Sequence, residues 1–440
     1  MDPSGPASSR SFTRGFEALR YPNFRLYFAS QAISVSGNWM QTTALGWLIV
    51  QLTGDGVALG TALALQYAPL LIIGPWGGAL VDRVNVRYAV IGSQAFAGVL
   101  AFALFGLASF GLASMPAIYL ISFLMGINGV VDNPARRVLV SELVPSNLLG
   151  SAVSLSGVLV NTSRVIGPAI AAGVIAVAGT TPCFVINAVS YGAVVVALLA
   201  MRTDQLIPKP VRAPGPIRVA DTLRYAYRVP VLRRALVSMT IVGTFALEMP
   251  VVLPLLASRT FGGDGSTYGI LLAVTSVGGV LGAVIAGAAL DTKMRRLEAS
   301  LVGYAATMAA AAVMPSLALE LAALFATGFF SFAYITMVST GVQVNVSPDH
   351  RGRVLALWSM AFLGTTMIGA PIIGWVSNAW GPRAGLLAGA ASCLLAAGIA
   401  FADRERDPGL ESRLDERLDE GRDPGREGAR PAVTAVTPGD

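Results

Sequence analysis

The chain alternates long apolar runs with short charged or Gly/Pro-rich breaks. The runs are 24–52, 56–80, 88–111, 116–140, 149–177 and 181–201. After a polar stretch from Arg202 to Arg234 come 235–256, 266–290, 299–317, 319–346, 354–379 and 384–402. A helix that crosses a bilayer needs about 20 apolar residues. The pattern therefore predicts an all-α membrane protein with twelve transmembrane helices in two six-helix halves. It divides the chain into a cytoplasmic N-terminal segment (1–23), a first bundle (24–201), a central cytoplasmic loop (202–234), a second bundle (235–402) and a tail (403–440). In the central loop, residues 219–228 carry Arg224, Arg228, Tyr225 and Tyr227, which predicts an interfacial helix joining the halves.

Composition agrees: 54% of residues are hydrophobic, 13% are charged and mean hydropathy is +0.65. That is about half the charge of an ordinary soluble protein. The distribution of basic residues then orients the chain. Segments on the side of both termini hold 28 of the 31 Lys and Arg, the opposite loops hold only Arg259 and Arg383, and Arg164 lies inside a span. Basic residues are retained in the cytoplasm, so both termini are predicted inside, in a multi-pass protein of the plasma (inner) membrane. The tail from Asp403 has 11 acids and 7 arginines in 38 residues and reads as a disordered, solvated extension, with a regulatory role as the alternative.

Several chemistries drop out. The basic residues form no aromatic-interleaved patch of the kind that binds nucleic acid. Cys183 and Cys393 sit in separate apolar runs and suggest neither a disulfide framework nor a metal site, and His350 is the only histidine. No Gly-Lys dipeptide occurs, so a Walker A phosphate loop is missing. The expectation is a protein that is not an enzyme and needs no cofactor.

The two halves repeat. Pro22 and Arg25 recur as Pro230 and Arg233, offset by 208; Asp82 and Arg87 recur as Asp291 and Arg296, offset by 209. Pro145 and Pro168 recur as Pro348 and Pro371, offset by 203. Parallel six-helix repeats are an architecture of secondary transporters. The stretch from Gly78 through Asp82 and Arg83 to Arg87 resembles the Gly-x-Leu-x-Asp-Arg-x-Gly-Arg-Arg signature of the major facilitator superfamily, with Asn85 and Val86 departing from it. Asn23-Phe24-Arg25, Asp132-Asn133-Pro134-Ala135-Arg136, Ile166-Gly167-Pro168 and Arg351-Gly352-Arg353 resemble the bacterial branch of enterobactin exporters and macrolide efflux proteins. The resemblance implies a small-molecule substrate moved through the lipid bilayer, with protons as the coupling ion and the monomer as working unit.

Candidate site residues fall into four groups. A gate at the cytoplasmic ends is read from Gly78, Asp82, Arg83 and Arg87, their counterparts Asp291 and Arg296, and the i, i+4 pair Asp132 and Arg136. Asp82 can face a helix N-terminus of the other half or Arg83 and Arg87; topology marking by charge is the plainer alternative. On span five, Gly157, Asn161, Arg164 and Pro168 share a face at spacings of four, three and four. Gly157, Gly167 and Pro168 are read as packing positions. The helix-five signature of efflux proteins is otherwise reduced to Ser154, Ser163, Ala171 and Ala172.

Coupling or substrate binding falls to Asn161, Arg164 and Glu248. Arg164 lies about 22 Å into its span and Glu248 about 20 Å into span seven, at 1.5 Å per residue. Intramembrane charges at such depth are functional candidates, with a structural anchor as the alternative. The superfamily's central path lies among helices one, four, seven and ten. There the polar and aromatic candidates are Gln31, Asn38, Gln41, Asn128, Tyr334, Thr336 and Gln343, with Trp358 on helix eleven. An exporter of small amphipathic molecules working by proton antiport is the favoured reading. A nutrient importer on the same fold and a non-transporting membrane sensor or partner protein are the alternatives.

Overall fold

The computed structural model describes residues 16–81, 83–207, 219–288, 294–346 and 350–406. Asp82, Lys209, Asp291, Lys293 and the chain beyond 406 lie outside the described residues. The helices are α1 (Pro22–Thr53), α2 (Gly56–Val81), α3 (Val86–Ser109), α4 (Met115–Glu142), α5 (Leu149–Ala178) and α6 (Thr181–Leu199). A linker helix (Val219–Arg228) leads to α7, which comes in two pieces, α7a (Pro230–Phe245) and α7b (Met249–Leu255), the second running into a π turn (Leu256–Thr260). Then follow α8 (Gly265–Ala288), α9 (Met294–Ala311) and α10 (Leu317–Asn345). Next, α11 opens as Arg351–Ser359, passes a π turn (Met360–Gly364) and ends as Thr366–Trp380; α12 is Pro382–Arg406.

Several of these bounds depart from the apolar pattern: α7a opens at Pro230, five residues inside the stretch read as central loop, and α9 runs Met294–Ala311 where the run is 299–317. The run 235–256 predicts one continuous helix and the structure breaks it after Phe245; α12 extends through Arg406, four residues into the stretch read as tail. Prolines open α1, α4, α6 and α7a in the first turn, where a missing N–H leaves nothing unbonded. Gly54, at φ 60°, ends α1 by donating its N–H to the Val50 carbonyl at 2.8 Å. Gly111, Gly179, Gly262 and Gly381 also have positive φ after α3, α5, α7 and α11, all at one end of the bundle. We term this the far end; the opposite, terminal end carries the linker and both ends of the described chain. At the far end Asp264 precedes α8. The Ser266 hydroxyl and the Thr267 and Ser266 N–H groups hold its carboxyl below the ordinary value.

Ten helices among the described residues are long and apolar enough to cross a membrane. The exceptions, α1 and α9, have evident causes. Helix α1 is lowered in hydropathy by Gln31, Ser34, Ser36, Asn38, Gln41, Thr42 and Thr43. Helix α9 is only 18 residues long and opens with Arg295, Arg296 and Glu298.

Helix pairing repeats. α1 packs on α5 and α6, α2 on α4, and α3 on α4 and α6; α7 packs on α11 and α12, α8 on α10, and α9 on α10 and α12. Raising both numbers by six converts each pairing of the first set into one of the second. Between the sets, α2 lies on α11 and α5 on α8. The α2–α11 seam is the tighter. A Cβ at Gly60 would collide with the Ala370 carbonyl, and one at Gly374 with the Gly56 carbonyl, so the two backbones touch without intervening side chains. At the terminal end the linker helix is held by its Tyr225 ring, stacked on His350 with centroids 4.1 Å apart.

Candidate functional site

Helix α7 breaks because of Pro250. Proline cannot donate to the carbonyl four residues back, and its ring crowds that group. The carbonyl left over belongs to Ala246, and the Tyr304 hydroxyl of α9 donates to it at 2.7 Å. Ala246 and Leu247 both donate their N–H groups to the Val242 carbonyl (2.8 and 3.2 Å), which closes α7a. The Glu248 carbonyl opens α7b by accepting from Val251 and Val252 at 3.0 and 3.2 Å. Glu248 thus sits at the joint of two half-helices, and broken helices of this kind mark ligand or ion sites in transporters.

A cavity of about 250 Å³ lies against this joint. Asn38, Trp39 and Thr42 of α1, Leu63, Gln66 and Tyr67 of α2, and Arg164 of α5 form one wall. Leu247 to Pro250 of α7, Leu272, Thr275 and Ser276 of α8, Tyr304 of α9, Thr327, Ser331, Phe332 and Ile335 of α10, and Phe362, Leu363 and Thr366 of α11 form the other. Arg164 and Glu248 are its charged lining residues. The guanidinium carbon of Arg164 lies 4.9 Å from the Trp39 ring centroid and 4.7 Å from that of Phe332, which brings α1, α5 and α10 together on one cation. Among the described residues no ion pair joins Arg164 to Glu248. Arg164 Nε and Glu248 Oε1 are both buried without a hydrogen-bond partner there, while Thr366 approaches the Glu248 carboxyl. Glu248 is 2% exposed and Arg164 half-buried. Tyr67 stands within electrostatic reach of both. Such a chamber offers one cation, one carboxylate, aromatic faces and a ring of hydroxyls to a partly apolar ligand.

Of the remaining candidates, Asn38 lines this cavity and accepts from the Tyr191 hydroxyl at 3.2 Å. Gln41 accepts from Asn187 Nδ2 at 2.8 Å on the neighbouring α6. Gln31 is drawn elsewhere: it accepts from Arg136 Nη1 at 2.7 Å. Arg136 Nη2 pairs with Asp132 Oδ2 at 2.6 Å, and Asp132 Oδ1 accepts from Ser93 Oγ and Gln94 Nε2 at 2.7 and 2.9 Å. One polar network therefore ties α1, α3 and α4 together, away from the cavity lining. Tyr334 is buried and donates to Ser238 Oγ at 2.9 Å, Trp358 stacks behind Phe362 at 5.1 Å, and Gln343 is exposed and donates to Ser339 of its own helix. Asn128 and Thr336 are half-buried and outside the cavity lining.

On α5 the expected shared face divides. Gly167 packs so closely on α1 that a Cβ would collide with Trp39, and Pro168 is buried beside Gly269 of α8. Gly157 is a correction: it is exposed, and a Cβ there meets nothing within 4 Å. Asn161 donates to the Gly157 carbonyl of its own helix at 3.0 Å. Near the terminal end, Arg87 is buried and donates to the Leu198 and Leu199 carbonyls at 2.8 and 3.0 Å, capping the end of α6. Asn23 likewise exchanges two hydrogen bonds with the Arg202 backbone. Gly78 lies in the last turns of α2, Arg83 is exposed in the turn after it, Arg296 is exposed on α9, and Asp82 and Asp291 lie outside the described residues. The polarity pattern missed Trp39, Tyr67, Phe332 and Phe362. The sequence signal for the site was the Glu248-Met249-Pro250 triplet, a proline beside an intramembrane acid.

Residues 13–417 match the model of a family described as transmembrane secretion effector. The chain belongs to this family of the major facilitator superfamily. The transporter is 24% identical to the staphyloferrin A transporter of Staphylococcus aureus (strain NCTC 8325 / PS 47), over 76% of its own length and 85% of that protein's. It is 23% identical to macrolide efflux protein A of Streptococcus pyogenes, over 77% and 86%. The family likeness carried by residues 78–87 and the companion motifs is met by these relatives. A bacterial homologue of the human lysosomal transporter Spinster, solved inward-facing and unoccupied, has the same fold, with a TM-score of 0.72 over 87% of this chain and 97% of that one at 13% identity. The activity of such a protein is passage of small molecules across a bilayer rather than a chemical conversion.

Proposed function

We propose that this transporter exports small amphipathic molecules by alternating access, in exchange for protons. The observation that carries the reading is the cavity at the α7 joint, where Arg164 and Glu248 face one chamber without pairing. In this reading α1 to α12 are twelve spans in two pseudo-symmetric halves, the terminal end is cytoplasmic, and the membrane is the plasma membrane. The protein works as a monomer. Glu248 is the proton carrier, since its Oε1 has a vacant bonding direction that a proton or a ligand group can fill, but not both. Asp132 is less suited, because Ser93, Gln94 and Arg136 already occupy both of its oxygens. With Arg87 engaged on α6, a terminal-end latch falls to Asp82 and Arg83, with Asp291 in the second half.

Inside-out vesicles and a ligand found by thermal-shift screening test the reading. An acid interior should drive uptake, and Glu248→Gln should remove the dependence on the gradient. Uptake indifferent to a protonophore would exclude proton exchange, and uptake only into right-side-out vesicles would favour an importer of nutrients. Orientation is checked separately. Cysteines at Lys209 and Lys293 are expected to label only from the inner face and one at Leu112 only from the outer; labelling of Lys209 from outside would overturn the topology.

A further inference from the structure

The far end is closed by more than helix packing. Asn378, in the last turn of α11, receives the Gly56 N–H at 2.8 Å and Arg259 Nη2 at 3.0 Å on its Oδ1. Its Nδ2 donates to Asp55 Oδ1. Arg259, from the π turn after α7b, also donates to the Gly54 carbonyl and, at 3.3 Å, to the Ser377 carbonyl. Asp55 in turn caps α2 by accepting from the Val57 N–H at 2.7 Å. One amide side chain thus ties the α1–α2 loop to both α7 and α11, using one of its two donors and both acceptor directions. It stands at the mouth of the α2–α11 seam, directly above the backbone contact of Gly56 with Gly374.

We propose that Asn378 is the far-side latch of the transport cycle: its bonds to Gly56 and Asp55, with Arg259 held against it and bonded to Gly54, join the two sets of helices there, and their rupture opens the route from the cavity to the far face. The proposal rests on the alternating-access reading above. The chemistry favours a latch over a static staple. The groups lie at the aqueous rim, so each broken bond is replaced by one to water, and the net cost per bond is small. Deeper in the seam, where backbone meets backbone, no side chain can swing aside, so α2 and α11 part only as bodies. The rim bonds therefore set how often that separation begins.

Spin labels on cysteines at Leu112 and Val313 report it. Both positions are well exposed at the far end, one in each set, and the native Cys183 and Cys393 are buried and do not compete for label. In the full-length protein without ligand, one distance should dominate. Asn378→Ala should raise the share of a longer distance by about tenfold to a hundredfold, the equilibrium worth of the two net hydrogen bonds it makes across the seam. Arg259→Lys, which keeps the charge but loses the fork, should give a smaller shift in the same direction, and serves alone if Asn378→Ala fails to fold. Unchanged distances in the folded variants would overturn the latch. Lengthened distances in a protein whose flux runs inward, or ignores protons, would leave the latch standing and remove the export reading instead.

Discussion

Arg164→Ala is expected to lower transport by about tenfold to a hundredfold, the worth of one charge-assisted hydrogen bond to a ligand. The side chain does two things that no neighbour duplicates. It carries the cavity's cation, and it rests on Trp39 of α1 and Phe332 of α10 at once, so its loss empties the wall where the two sets of helices meet. Arg164→Lys should recover only part of the rate. An ammonium restores the charge but not the planar group that lies over two rings and presents Nε–H as well. Initial uptake rates, normalised to folded protein, measure this. A fully active alanine variant would reduce Arg164 to a tolerated anchor.

Asp132→Ala is expected to act on stability instead. It strands the Arg136 guanidinium between α1 and α4 and leaves Ser93 and Gln94 without their acceptor. Removing one partner of a buried ion pair costs about 3–5 kcal/mol in soluble proteins, an upper bound here because a quarter of the Arg136 side chain is exposed. Thermal unfolding in detergent should show a clear drop in midpoint. Asp132→Asn should fall less, since an amide oxygen still accepts from Ser93. Removing both charges, in Asp132→Leu with Arg136→Leu, should be milder than Asp132→Ala alone. If Asp132→Ala melts like the parent, the network contributes no stability.

The course of the chain was legible in its apolar runs because bilayer thickness dictates their length, and the repeat was legible because proline and charge landmarks recur at fixed offsets. The break in α7 was not legible in that pattern. Hydropathy counts Pro250 as one more residue in an apolar run, while the backbone registers a missing donor. Arg164 and Glu248 were found by their cost in lipid, a property of single residues. Gln31 was misdirected for the opposite reason: what it does depends on Arg136, 105 positions away, and no spacing along one helix reveals a partner on another. Gly157 shares a helical face with Pro168, yet only Pro168 lies where a neighbouring helix crosses. Face can be read from sequence; the crossing point along it cannot. The aromatic lining escaped notice because in a membrane protein Trp39 and Phe332 look like any other apolar residues until a cation is placed against them.

The bond between the Tyr304 hydroxyl and the Ala246 carbonyl has a consequence for descent. Pro250 and Tyr304 lie on different helices 54 positions apart, yet each makes sense only in the company of the other. A lineage that replaced the proline would regain a continuous α7 and leave the hydroxyl with nothing to serve. One that lost the hydroxyl first would keep a bare carbonyl in the bundle. Either single step is a disadvantage until the second follows, so the two residues should be inherited as a unit, and homologues should divide into those that hold both and those that hold neither.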